Sequence, residues 1–376
     1  FENYYTVFLN SWRTEGMNTT DTRGALTRAL SFASDYGLQA PIILAPMPGA
    51  TPVPLSIAVA SGGGMGACGV LLMTPDQITD WVQNMRAGSN GTFQLNTWIP
   101  DQDPIRNKQH ESEVRDFLGA WVPEFSETAG DVPLIDFSSQ CEAMLDAGPA
   151  VISSIMGLYP PEFVARLKAK GIKWFAKATT VIEAVQAEQA GADVIVAQGM
   201  EAGGHKGAFN AEDANKNMVG LFSLLPAVSN AVKVPVVASG GIGDARGVAA
   251  ALILGASGVE IGTGFLRSPE AKIPKAWSNA IGDTQPEDTL VSRAFSGRLG
   301  RSIRTRYAMA TTTADAPHPA PYPIQRNLTK AMRDEAVAND DLDGMQAWAG
   351  QSAKLASSEP AEQIVERLWS EAKKLL

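Results

Sequence analysis

Short apolar runs recur along this chain at intervals that leave room for one helix between each pair. Eight of them read as strands: 41–47, 62–69, 92–98, 149–157, 172–178, 194–197, 234–242 and 259–265. Most are rich in Val, Ile, Ala and Gly with little polar alternation, the pattern of strands buried on both faces in a parallel sheet. Between them lie stretches with helical spacing, at 55–60, 74–85, 136–147, 161–170, 179–190, 221–232 and 245–254. Thr74-Pro75-Asp76 opens one of these with a capping hydroxyl and a proline at the first helical position. A further helix over 20–36 carries Ala25, Leu26, Leu30, Phe32 and Ala33 at near-helical spacing, with Asp21 placed to cap it, and suits closure of the bottom of the sheet. Regular alternation of strand and helix predicts an α/β fold.

Two regions break the alternation. Residues 100–133 are polar and charged, and read as an excursion carrying one helix at 111–117. From 271 onward the pattern is helical with irregular breaks, a proline-rich stretch at 317–323, and amphipathic helices at 328–337 and 360–375. The last of these has Ile364, Val365, Leu368 and Trp369 on one face, and these helices are expected to form a lid or cap. The resulting division is 1–16 as a tag or extension preceding a native start at Met17, 17–270 as the main α/β domain, and 271–376 as a helical cap.

Composition narrows the chemistry. With 376 residues and 45% apolar content the chain has enough material for a large core. A net charge of −9 argues against a nucleic-acid partner. Cys68 and Cys141 are the only cysteines, too few for a disulfide framework or a cysteine zinc site. No apolar run approaches the roughly 20 residues of a membrane span, and residues 1–16 lack the layout of a secretory signal, so a cytoplasmic enzyme is expected.

The stretch Asp193 to Gly207 concentrates the candidate chemistry. Its first half is a strand, and its second half holds Gly199, Gly203, Gly204 and Gly207, which let the chain turn sharply and approach a ligand closely. Gln198, Glu201 and His205 are therefore carried where a strand ends and a loop begins. Of the three histidines, His110 lies in a charged run and His318 between prolines, which leaves His205 as the candidate for proton transfer near neutral pH. The alternative is that His205 only hydrogen-bonds the loop, and Glu201 is a candidate to orient it or the loop. Asn96, at the end of the third strand, offers a donor and an acceptor to a planar ring edge or stabilises a turn. Gly240-Gly241 and Gly262-Thr263, after the seventh and eighth strands, free backbone N–H groups that can receive phosphate oxygens. No residues have metal-ligand spacing, and no nucleophile elbow, Walker loop or complete dinucleotide fingerprint is present.

The run Ala197-Gln198-Gly199-Met200-Glu201-Ala202-Gly203-Gly204-His205-Lys206-Gly207, with the other segments in matching order over roughly 41–306, resembles the nitronate monooxygenases, formerly 2-nitropropane dioxygenases. The resemblance implies a TIM (β/α)8 barrel that binds FMN. It assigns Ala45, Pro46 and Met47 to the flavin ring, and extends cofactor contact to Asn96, Lys177, Gln198, Gly203, Gly240, Gly241, Glu260, Ile261, Gly262 and Thr263. Lys177 can favour negative charge on a reduced flavin or serve as a surface lysine. Glu260 stands where the family usually has glutamine, so its side chain is expected to turn from the phosphate. Ile155 stands where many relatives have histidine, and Arg298 with 301–306 resembles the segment that follows the barrel. The implied reaction takes an alkyl nitronate, or a nitroalkane whose α-proton His205 removes, and O2 to a carbonyl compound and nitrite. Two other readings stay open: a nicotinamide-dependent quinone or enoyl-thioester reductase on the same barrel, and a flavin-binding protein without activity. Oligomeric state is not readable.

Overall fold

The computed structural model describes residues 22–122, 126 and 128–376. Segment 1–16, the start at Met17 and the cap at Asp21 lie outside them.

Eight parallel strands form the core: β1 (Ile42–Leu44), β2 (Gly66–Gly69), β3 (Phe93–Trp98), β4 (Val151–Ile155), β5 (Lys173–Ala178), β6 (Val194–Gln198), β8 (Val236–Ser239) and β9 (Gly258–Ile261). Their order is β1-β9-β8-β6-β5-β4-β3-β2, and a parallel bridge between Ile43 and Met65 joins the two ends. The sheet is thus closed into a (β/α)8 barrel. Residues 62–64 are not strand, as the sequence suggests, but the turn after helix Val53–Ser61. There Gly63 has φ +87°, and a Cβ on Gly62 would come within 2.6 Å of the Glu362 carbonyl oxygen. These glycines serve a turn and a close helix approach.

Period-2 alternation layers the barrel interior. Ile43, Met65, Val151, Phe175, Val194, Val196 and Val237 form an apolar plug at the lower level. Helix Thr22–Asp35 seals it from below: Phe32 and the following Tyr36 meet the Phe175 ring at 6.3 and 5.1 Å. Two residues further up β4, β5, β6 and β8 the inward positions become polar, with Ser153, Lys177, Gln198 and Ser239 joined at that level by Asn96 of β3 and Glu260 of β9, all buried.

The last helix, Ala361–Ala372, is not a lid. Its apolar face, including Ile364, Val365, Leu368 and Trp369, joins the main core between helices Ala245–Ile253 and Val53–Ser61. It completes the outer ring as the eighth helix, so residues 262–360 are an insertion between the eighth barrel strand and its helix. Nor is that insertion purely helical. It carries β10 (Thr289–Ser292) and β11 (Gly300–Ile303), which pair antiparallel, and β11 pairs in turn with β7 (Gly204–His205). Phe295, Tyr307, Ile324, Leu328 and Met332 of the insertion pack with Val114 and Leu118 of the 100–133 excursion in a second core. Among the described residues, no helix is long and apolar enough to cross a membrane.

Candidate active site

A cavity of 370 Å³ opens at the carboxyl ends of the strands. Ala45, Pro46, Met47, Asn96, Lys177, Gln198, Gly203, His205, Gly240, Gly241, Glu260, Ile261, Gly262 and Thr263 all line it. Ile155 does so as well, beside Gly207.

The His205 loop is held from three sides. The Gln198 carboxamide clamps it, donating from Nε2 to the His205 carbonyl (3.1 Å) and accepting at Oε1 from Gly207 N–H (2.7 Å). Lys206 Nζ donates to the carbonyls of Met200 (2.6 Å) and Ala202 (2.9 Å), and the Arg301 guanidinium donates to Met200 as well. Burial, with Arg301 nearby, lowers the Lys206 pKa to about 7. Glu201 does not reach the imidazole; its carboxylate accepts from Leu221 N–H at 2.8 and 3.0 Å and caps helix Leu221–Ala231. Gly203 is required by packing, since a Cβ there would lie 2.5 Å from the Gly350 nitrogen.

The imidazole itself sits between two indoles, Trp98 at 4.6 Å and Trp348 at 4.9 Å, both edge-on. Its Nε2 shares a 2.7 Å hydrogen bond with the Ser296 hydroxyl, while Nδ1 has no partner among the described residues. Burial, together with the positive charges of Arg298, Arg326 and Arg333, drives the His205 pKa down to about 3. His205 is therefore neutral at physiological pH and a weak base.

Charge is arranged differently at the two ends of the cavity. Below, Lys177 Nζ is paired with the Glu260 carboxylate, which also accepts from Ser239 Oγ at 2.9 Å. The Glu260 side chain is thus committed to the lysine. Above, Arg326 lines the cavity and its guanidinium has no hydrogen-bond or ion-pair partner among the described residues. Arg333, also lining it, donates only to neutral groups: Thr329 Oγ1, Gln346 Oε1 and the Arg326 carbonyl. Burial, then repulsion from Arg326, lowers its pKa to about 10. Asp334 is the remaining carboxylate on this rim, and Lys330 engages it. Arg298 is buried and structural, bound to Asp101 of the excursion with Nε to Oδ2 at 2.7 Å.

The two glycine turns have the form of an anion cradle. Gly240 and Gly241 adopt φ of +104° and +70°. The backbone N–H groups of Gly240, Gly241, Gly262 and Thr263 donate to no acceptor among the described residues. Among the described residues no group of three His, Cys, Asp or Glu could hold a metal ion.

The sequence profile of the nitronate monooxygenase family matches residues 31–371. The chain belongs to that family. It is similar to a probable nitronate monooxygenase of Staphylococcus aureus strain Newman, 33% identical over 363 residues that cover 94% of this chain and 98% of that one. Among solved structures it is similar to a nitroalkane oxidase from Streptomyces ansochromogenes, with a TM-score of 0.81, 33% identity, and coverage of 91% and 97% of the two chains. FabK from Thermotoga maritima shares the architecture at a TM-score of 0.72 and 26% identity, over 92% of this chain and 96% of that one. An oxidoreductase follows from the family.

Trp98, Trp348, Ser296, Arg326 and Arg333 shape the site but do not stand out in the sequence. Arg326 lies on helix Ile324–Leu328 and Arg333 on the next one, Lys330–Ala338, so no single helical face marks the pair in the sequence.

Proposed function

We propose that this enzyme oxidises alkyl nitronates with O2 to carbonyl compounds and nitrite, using FMN, and that it takes the nitronate anion in preference to the neutral nitroalkane. The observation that carries the reading is the pairing of a neutral, half-buried His205 with guanidiniums that have no carboxylate partner. A nitronate arrives already deprotonated and anionic. It needs a cationic pocket and a hydrogen-bond donor, but no general base.

Bound FMN would supply the electron acceptance that no side chain here provides. The residues present fit it. Free N–H groups at the Gly240-Gly241 and Gly262-Thr263 turns offer donors to its phosphate, and the positive φ of the first pair excludes most other residues. Ala45, Pro46, Met47 and Asn96 border the space left for the ring.

The chain's own residues then bind and orient. In the tautomer in which the Ser296 hydroxyl gives its one proton to Nε2 rather than to the Arg298 carbonyl at 3.2 Å, the imidazole proton resides on Nδ1, free to donate to a nitronate oxygen. Arg326 and Arg333 draw the anion in, and Trp98 and Trp348 exclude water around it. The test is a comparison of ethyl nitronate with freshly dissolved nitroethane at pH 7, read by nitrite release and oxygen uptake. A kcat/KM at least about 100-fold higher for the nitronate is expected. Equal rates for the two would overturn the preference, and nitrite from neither would overturn the function.

A further inference from the structure

We propose that Glu260 sets the redox poise of the bound flavin by holding Lys177 in an ion pair and withholding its charge from the ring. This inference rests on the FMN reading above. Lys177 lies on β5 and Glu260 on β9, and the register of the strands explains how they meet. Lys177 is level with Val196, which is level with Val237, and Ser239, two residues up, is level with Glu260. The lysine therefore reaches upward across the barrel interior, past β6 and β8, to the carboxylate. Both side chains are nearly sealed from solvent, 8% and 2% exposed, and both line the cavity.

A lone lysine in this place would favour a flavin carrying negative charge, since electrostatic effects strengthen where water is excluded. Reduction of a flavin places that charge on its N1 and C2 carbonyl side. With the carboxylate bonded to the ammonium, and Ser239 fixing the carboxylate, the polar layer under the ring is close to neutral. The pair thus keeps the flavin less readily reduced than the lysine alone would make it. Replacing Glu260 by its neutral isostere leaves the cation uncompensated; removing the lysine as well restores neutrality.

The experiment is dye-equilibrated potentiometry of wild type, Glu260→Gln and the double variant Lys177→Met/Glu260→Gln, each loaded with FMN. Glu260→Gln is expected to favour reduced over oxidised FMN about tenfold more than wild type, a positive shift of ~30 mV for a two-electron couple. The double variant is expected to return to the wild-type potential. Sulfite gives a second reading that needs only the loaded fraction of a poorly loaded variant. It adds to flavin N5 and pushes an electron pair toward N1 and the C2 carbonyl, so its affinity should rise about tenfold in Glu260→Gln and fall back in the double variant. A merely structural pair would give no such rise and return. Bound FMN with a potential and sulfite affinity unchanged in Glu260→Gln, or a double variant that stays with the single one, overturns the pairing inference alone. A wild type that binds no FMN overturns it together with the cofactor reading.

Discussion

The floor and the roof of the cavity handle charge in opposite ways, the floor's buried and the roof's half-buried. On the floor, Lys177 and Glu260 cancel each other and Ser239 satisfies the carboxylate further. On the roof, the Arg326 guanidinium has no partner among the described residues, and Arg333 leans on neutral acceptors. The cost of burying charge makes compensation the default. An uncompensated cation beside a cavity therefore marks where an anion from outside completes the structure, whereas the compensated floor asks only for a neutral ring above it. His205 stands between the two, kept neutral first by desolvation and then by the positive charges of Arg298, Arg326 and Arg333.

The contrast can be attacked from the middle outward. His205→Asn removes the proposed Nδ1 donor while keeping a polar group of similar size. Nitrite formation from ethyl nitronate should fall about 100-fold with flavin retained, and the wild-type rate should lack an inflection near pH 6.5, because the folded imidazole titrates near 3. Arg326→Met strips the roof of its free charge. Its KM for the nitronate should rise about tenfold, an effect that added salt reproduces in part in wild type. An unchanged KM would make the roof as inert as the floor.

The smallest effect concerns the loop that joins them. The folded pKa of Lys206 lies near 7, below the 10.5 of an unperturbed lysine. The unfolded chain then keeps a proton that the folded chain has released, so stability rises with pH above 7. Over the first unit the gain is about 1 kcal/mol. Urea melts at pH 7 and 8 should detect this slope in wild type and lose it in Lys206→Met.

What could be read from the sequence follows the same division. The floor and the cradle sit on barrel strands and the turns after them, where apolar periodicity locates a residue by its own neighbours. Hence Asn96, Lys177, Gln198, Gly240 and Glu260 all fall on the cavity where their strands predict. Contacts within that layer are another matter. The salt bridge between Lys177 and Glu260 joins residues 83 positions apart, and the commitment of Gln198 to the loop backbone depends on how the glycines fold. The roof depends on position more heavily still. Ser296, Arg326, Arg333 and Trp348 come from the 262–360 insertion, which is aimed over the mouth by a two-residue strand pairing, Gly300 to His205 and Arg301 to Gly204. So short a strand leaves no periodic signal. The last helix teaches a related lesson: Ile364, Val365, Leu368 and Trp369 announce that a face is buried, but not whether against a lid or against the barrel flank.

The most direct test of the account mixes the purified, flavin-loaded protein with each possible electron donor in the absence of oxygen and follows the yellow absorbance. The account predicts bleaching by ethyl nitronate within the time of turnover, and none on that timescale by NADH or NADPH. Rapid bleaching by a reduced nicotinamide with the nitronate inert would contradict it and place the enzyme with the reductases.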